Sequence, residues 1–450
     1  MNWTTNPVPL FTRFAVKLEL IHPTHRPFRR TRPFNIVPPL GLAMVAAVTP
    51  RDVDVRITDA YIDPIRYDRP VDLVGISALT PAVNVAYDIA RQYRRRGVTV
   101  VMGGIHASAM PEEALEHVDT VVVGEAEPVW PQLVEDFRAG RLQRRYEAEG
   151  IADMTGLPWP RRDLFKIRRY LVRRPVETSR GCCFNCEYCS DSLVFKQGYR
   201  FREIDDVVEE IRSIRPLGRY VFFVDNNICG QPERARRLFE ALVPLRIRWS
   251  GQASINMAYS DETLKLASRS GCMIVLVGME TINREVLRRI GKPVDPGRYK
   301  ELVDRFHRHG ILVQGEFIFG FDEDTPEVFR DTVEFAQQVG IDTARFAILK
   351  PYPGTRLYRR WDEEGRILHG DWSLYHTSNV AYKPIGVTPE QLKAGRDWAY
   401  EEFARPINVW NRVGLRRKHA LLAWLINLAN TRTKNSRRPQ GKKQPRMDTD

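Results

Sequence analysis

Apolar residues along this chain fall into two successive series of short runs, each run followed by a stretch with apolar positions at helical spacing. In the first series the runs are 14–18, 53–58, 73–77, 99–102 and 120–123. Between the third and fourth, 82–96 sets Val85, Ala86, Ile89, Ala90 and Tyr93 at helical spacing, and Gly97 stops the helix. Strand and helix in alternation predict an α/β domain, a doubly wound parallel sheet with helices on both faces. After a basic, irregular stretch over 161–175 the alternation resumes. Six candidate strands lie at 176–179, 220–224, 249–253, 273–277, 313–318 and 344–349, with helices at 205–214, 232–242, 261–270 and 326–339. Parallel strands with right-handed helical crossovers curl into a barrel or part of one, so the second series predicts a partial (β/α)6 barrel.

At roughly 150 residues per domain, a chain of 450 residues agrees with about three domains. The expected boundaries are 1–145 for the first α/β domain, 146–174 for a linker, 175–355 for the barrel and 356–430 for a small, mainly helical accessory region with a helix at 389–403. Residues 431–450 hold seven Lys or Arg against two Asp and almost nothing apolar, a composition that cannot pack and predicts a disordered tail. The tail carries part of the net charge of +13, which by itself fits nucleic acid, an anionic membrane surface or a solvated basic face. No signal-peptide pattern opens the chain, and no segment approaches the roughly 20 apolar residues of a spanning helix, so the expected compartment is the cytoplasm.

One stretch qualifies that expectation. Between Lys418 and Asn430, Leu421, Leu422, Leu425, Leu428 and Ala429 share a helical face, with Trp424 among them and Arg416, Arg417, Arg432 and Lys434 on the flanks. Two readings stand open: a helix lying peripherally in an anionic membrane interface, which would suit a lipophilic substrate, or a terminal helix docked on the protein's own core.

Chemistry concentrates in 177–190, where four of the six cysteines fall within eight residues. Cys182, Cys186 and Cys189 have the spacing C-x3-C-x2-C, and three thiolates leave a four-ligand metal or cluster site with a vacancy. A zinc site completed by Cys183 is the alternative, but four ligands so crowded, two of them adjacent, would strain a tetrahedron. Cys183 reads as a spare thiol, and Cys229 and Cys272, each beside an apolar run, as buried small hydrophobes.

The triplet, with Tyr188 just before its third cysteine, resembles the cluster loop of the radical SAM enzymes. The resemblance implies a 4Fe-4S cluster on Cys182, Cys186 and Cys189, whose open iron takes S-adenosylmethionine and, with an electron from an external one-electron reductant, yields a 5'-deoxyadenosyl radical. Tyr188 would lie over the adenine. Function in such barrels lies at the carboxyl ends of the strands. There the chain carries Asp225, Gln252 with Ser254, and Glu280, which the resemblance places on the ribose hydroxyls. Gly315 belongs to a glycine-containing strand beside the adenine, and the run from Leu349 to Thr355 resembles the segment that closes the core.

In the first domain Ser77-x-Leu79 followed by Gly103-Gly104 resembles the second and third parts of the signature of cobalamin-binding domains. The first part, Asp-x-His-x-x-Gly, is expected near Asp59, where Tyr61 replaces the cobalt-ligating histidine and Pro64 the glycine. Cobalamin is therefore expected base-off, without a protein histidine below the cobalt. His106 in Gly-Gly-x-His, together with Gly124 and Glu125, matches features of cobalamin-binding radical SAM proteins, and His106 is expected to border the cofactor or a domain interface. A plain helix-start histidine, and a domain that has lost its cofactor, are the bland alternatives.

Together these features identify a member of the group that includes the hopanoid methylases and the anaerobic cyclase of magnesium-protoporphyrin ester. The expected function is methylation of an unactivated carbon, of a lipid or other small-molecule substrate, through methylcobalamin. Ring formation or rearrangement without methyl transfer is the runner-up, and a non-catalytic cofactor sensor comes from a different class. RNA modification is disfavoured, because no cysteine precedes Cys182 and the chain's end reads as helical.

Overall fold

The computed structural model describes residues 16–24, 37–195, 198–292, 294–415 and 417–432. Its first sheet has six parallel strands, β1 (Lys17–His22), β2 (Asp54–Asp59), β3 (Leu73–Ser77), β4 (Thr99–Gly103), β5 (Thr120–Val123) and β6 (Arg145–Glu147), in the order β2-β1-β3-β4-β5-β6. The first strand runs later than apolar runs predict, because Glu19 reads as an interruption. It is fully buried instead, and accepts hydrogen bonds from Thr58 (2.5 Å), Tyr93 (3.1 Å) and Arg56 (3.1 Å). A buried carboxylate with three partners is compatible with a central strand.

β6, only three residues long and with one buried side chain, Tyr146, had no apolar pattern to announce it. It straddles the expected boundary at 145. The expected linker is packed rather than free: Phe165 and Tyr170 join the core under the first sheet, and Tyr170 donates to Asp59 at 2.8 Å.

The second sheet is formed by β7 (Pro175–Val176), then, after the short hairpin pair β8 (Ser179–Arg180) and β9 (Arg200–Phe201), by β10 (Tyr220–Phe223), β11 (Arg248–Ala253), β12 (Cys272–Glu280), β13 (Leu312–Phe319) and β14 (Thr343–Ile348). Its order, β14-β13-β12-β11-β10-β7, is sequential and parallel throughout, the topology of a partial (β/α)6 barrel. Helices Pro232–Leu242, Asp261–Ser270 and Val328–Gln338 cover its outer face and bury Leu238, Phe239, Leu264 and Val333 in the largest core. The expected strand at 176–179 divides in two. Asp225 binds the amide and hydroxyl of Thr178 and the hydroxyl of Ser179, which draws the chain out of the sheet after Val176.

The C-terminal helices Pro406–Val413 and Ala420–Arg432 close the amino-terminal end of this barrel, where Val409, Val413, Ala420 and Ala423 pack on Ile274 and Leu312. All but the first two residues of the expected tail lie outside the described residues.

Candidate functional site

The cysteine loop leaves β8 at Gly181, which has φ +81°; a Cβ there would collide with the carbonyl of Gly198 on the returning strand. The loop turns on a Cys189 N–H to Cys186 carbonyl hydrogen bond of 3.1 Å. At the carboxyl end of the barrel it opens on a cleft of about 330 Å³. Cys182, Cys186 and Cys189 line this cleft and Cys183 does not. Asn227 Nδ2 instead lies 3.5 Å from the Cys183 sulfur. The Cys183 thiol, hydrogen-bonded to Cys182, brings the Cys182 pKa down to about 6, helped by the Phe184 amide and the charge of Lys292. Burial pushes Cys186 up to about 11 and Cys189 up to about 12.

Across the cleft Lys292 Nζ donates to Glu280 Oε1 at 2.6 Å, both side chains nearly inaccessible. Burial alone would lower the lysine's pKa, but Glu280 and the cysteines raise it, so the lysine is held as a cation. Its ammonium also sits 5.5 Å from the Phe184 ring centre. Gly278 makes this pair possible, since a Cβ on it would come within 2.6 Å of Lys292 Nζ. Glu280 has φ +61°, a left-handed conformation uncommon for a residue with a side chain. Tyr188 also lines the cleft, packs edge-on to Phe321 at 6.5 Å, and has its hydroxyl pKa driven far up by burial and by Glu280.

The strand-end residues expected from the sequence divide in two. Gln252, Ser254 and Glu280 line the cleft with the cysteines. Asp225 does not; fully buried, it fastens the start of the cysteine loop. Gly315 does not line the cleft; a Cβ on it would stand 2.8 Å from the Phe317 ring, and the residues after it, Glu316, Phe317 and Ile318, do line the cleft. Sequence reading passed over Lys292 and Glu316. One lysine among 69 basic residues carries no spacing signal, and only the fold brings it back to Glu280.

In the first domain Ser77, Leu79, Gly103 and Gly104 meet at the carboxyl ends of β3 and β4. Gly104 has φ +93°, and a Cβ there would stand 2.9 Å from Ser77 Oγ. The two strand ends therefore form a shelf of small residues, and beside it Leu79 is 52% exposed. An open shelf flanked by an exposed apolar side chain fits a broad, partly apolar ring such as a corrin.

His106 is completely buried. Its Nδ1 lies 3.3 Å from Thr80 Oγ1, its Nε2 3.3 Å from Glu113, and Trp372 of the C-terminal region packs against it at 5.2 Å. It stands at a domain interface, where Trp372 Nε1 also donates to Glu113 at 3.0 Å. Gly124 and Glu125 likewise sit where the first domain meets the cysteine loop. A Cβ on Gly124 would approach the Val194 carbonyl at 3.9 Å, and Glu125 pairs with Arg180 at 2.7 Å and with Arg200. Arg180 also binds Glu127 at 2.6 Å and Glu177 at 3.0 Å.

Comparison with known proteins agrees with both halves of this arrangement. Residues 30–134 match the B12 binding domain family and residues 176–336 the radical SAM superfamily. The chain is 32% identical to bacteriochlorophyllide d C-12(1)-methyltransferase of Chlorobaculum tepidum, over 79% of this chain and 80% of that one. It is 28% identical to hopanoid C-2 methylase of Rhodopseudomonas palustris, over 74% of this chain and 66% of the methylase. Among solved structures it resembles the radical S-adenosylmethionine methyltransferase TsrM of Kitasatospora setae, with a TM-score of 0.66 at 19% identity, covering 92% of this chain and 91% of that one.

Proposed function

This chain belongs to the cobalamin-dependent radical SAM methyltransferases, and from that membership we propose that it methylates an unactivated carbon of a large, apolar small molecule. Bacteriochlorophyllide and hopanoid, after which two of its relatives are named, are extended ring systems of that kind. The observation that carries the reading is the division of the four loop thiols: the three in C-x3-C-x2-C line the cleft with Glu280 and Lys292, and the fourth turns away. When bound, the cluster with S-adenosylmethionine supplies radical hydrogen abstraction, and the corrinoid supplies a transferable methyl group.

The chain's own part is to bind and to align. Cys182, Cys186 and Cys189 would hold three irons. Lys292, kept cationic by its surroundings, is placed to meet a carboxylate, and Glu280, Gln252 and Ser254 to accept or donate hydrogen bonds to hydroxyl and amino groups of the nucleoside. Tyr188 offers an aromatic edge for adenine, and the shelf of Ser77, Gly103 and Gly104 with Leu79 would carry the corrin. An external one-electron reductant completes the set.

The test is product counting on anaerobically reconstituted protein with bacteriochlorophyllide d or a hopanoid. Methyl transfer releases S-adenosylhomocysteine together with 5'-deoxyadenosine. Release of 5'-deoxyadenosine alone with a modified substrate would make it a cyclase or rearrangement enzyme, and binding without cleavage a sensor.

A finer reading concerns where the enzyme works. The described residues contain no helix long and apolar enough to cross a membrane. Helix Ala420–Arg432 buries Ala420, Ala423 and Asn427 and leaves Leu421, Leu425 and Leu428 exposed, and Ile407, Trp410 and Leu415 are exposed in the preceding segment. Exposed apolar side chains beside exposed Lys418 and Arg405 suit peripheral contact with an anionic membrane. This surface is at the end of the barrel opposite the cleft, so it would tether the protein without feeding the cleft. The case for an apolar substrate rests on the relatives instead.

A further inference from the structure

The wall of the cleft changes character along the last two strands of the barrel. Inward-facing positions in such barrels are mostly branched and aliphatic, and Leu276, Ile318 and Ala347 on the cleft wall keep to that rule. Glu316 of β13 and Arg345 of β14, which also line the cleft, do not; they are partners in register. Thr343 donates to Gln314 at 3.2 Å and Gln314 to Glu316 Oε1 at 2.6 Å, so the carboxylate is fixed. The guanidinium is held loosely. Its one ion pair among the described residues is with Glu316 Oε2 at 3.8 Å, too long for a hydrogen bond, and 57% of its side chain is accessible. A pair so long and so open adds little to stability, so the fold itself gives no reason for an arginine here.

We propose that Arg345 receives a carboxylate carried on a side arm of the substrate, an inference that rests on the large ring substrate proposed above and narrows it to an acid. A wholly hydrocarbon occupant would strip water from Arg345 and Glu316 and return no hydrogen bond. A carboxylate replaces that water with the two parallel bonds that suit a guanidinium fork. Five N–H donors let the fork serve the new acid and Glu316 together. Burial raises the Glu316 carboxyl, which eases its repulsion of a second acid, while Glu316 in turn raises Arg345 and keeps it cationic. Size points to an arm. A cleft of about 330 Å³ is near the lower limit for one drug-sized ligand, and S-adenosylmethionine has first claim on it, so a fused ring system does not enter whole. S-adenosylmethionine is the other source of a carboxylate, but Lys292 is the cation whose charge reaches Cys182 and Cys186, which leaves Arg345 to the substrate. Of the two ring systems considered, a chlorophyllide carries a propionate and a hopanoid skeleton is a hydrocarbon; the site fits the first kind.

The test is binding, without turnover, on full-length protein reconstituted anaerobically with its cluster. Bacteriochlorophyllide d, its propionate methyl ester and a hopanoid hydrocarbon are titrated in the presence of S-adenosylmethionine, and retention of S-adenosylmethionine is measured separately. The free acid should bind about 10- to 100-fold more tightly than the ester. Arg345→Met should bring the acid down to the level of the ester and leave retention of S-adenosylmethionine unchanged, and Arg345→Lys should recover part of the preference. Equal binding of acid and ester, or tighter binding of the hopanoid, overturns the proposal. Loss of S-adenosylmethionine in Arg345→Met overturns it too, because the carboxylate met there is then the cofactor's. Binding of none of the three overturns the large-ring reading beneath it. The comparison of acid with ester needs no variant, so it stands whether or not Arg345→Met folds.

Discussion

Cys182 and Cys183 are neighbours in the chain whose thiols play opposite parts. Cys182 faces the cleft, accepts the hydrogen bond of Cys183 and is drawn toward thiolate, while that same hydrogen bond and burial push Cys183 far up, so it stays a protonated donor. A thiol that does not line the cleft is not placed to ligate a cluster held there by the other three. Cys183→Ala should therefore keep its iron and its charge-transfer absorbance near wild type, while alanine at Cys182, Cys186 or Cys189 should abolish both after anaerobic reconstitution. Loss of the cluster in Cys183→Ala would contradict the assignment. The triplet was legible in sequence because its spacing is local. Lys292 and Asp225 were not, for opposite reasons. Lys292 comes to the cleft only through the path of the chain after Glu280. Asp225 sits at a strand end that suggests ligand binding, yet its carboxylate is fully engaged by Thr178 and Ser179.

At the scale of elements, apolar spacing located most strands and the long helices, since a strand buried on both faces and an amphipathic helix each write their period into the chain. It failed where burial and polarity part company. Glu19 lies in mid-strand, and the terminal helix inverts the usual rule, setting Asn427 inward, where it donates to the Asp342 carbonyl at 3.0 Å, and its leucines outward. Of the two open readings of that helix, the structure shows docking on the barrel by its small and polar side, with Leu421, Leu425 and Leu428 exposed. Of the flanking basic residues, Arg417 pairs with Asp342 at 2.6 Å, which leaves less charge for a membrane than the sequence suggests. Deleting the helix would strip cover from Ile274 and Leu312, so point changes are the cleaner test. Joint replacement of Leu421, Leu425 and Leu428 by serine should abolish flotation with phosphatidylglycerol vesicles at low salt while leaving the fold intact, because these side chains are exposed. Equal flotation of the two proteins would remove the membrane role.

For the whole molecule the question is what keeps the corrin shelf and the cluster loop at a fixed separation. Arg180, two residues before the first cluster cysteine, joins Glu125 and Glu127 of the first domain to Glu177 of its own loop, and Arg200 adds a second pair to Glu125. Three carboxylates against two guanidinium groups leave an excess of negative charge, and the Glu177 carboxyl is accordingly pushed up, chiefly by burial. The balance depends on Arg180. Removing one partner of a buried ion pair strands the other and costs about 3–5 kcal/mol, more than the pair itself is worth. Arg180→Met should thus lower the denaturation midpoint clearly and speed proteolysis in the 146–174 segment that joins the domains. A loss of packing at Arg180 alone would do some of this, so the decisive measurement is a double-mutant cycle with Glu125→Gln. If the latch couples the domains, the double variant should be less damaged than the sum of the singles by at least ~1 kcal/mol. Strict additivity would mean that the two domains are held by their apolar contacts, and that Arg180 serves only its own loop.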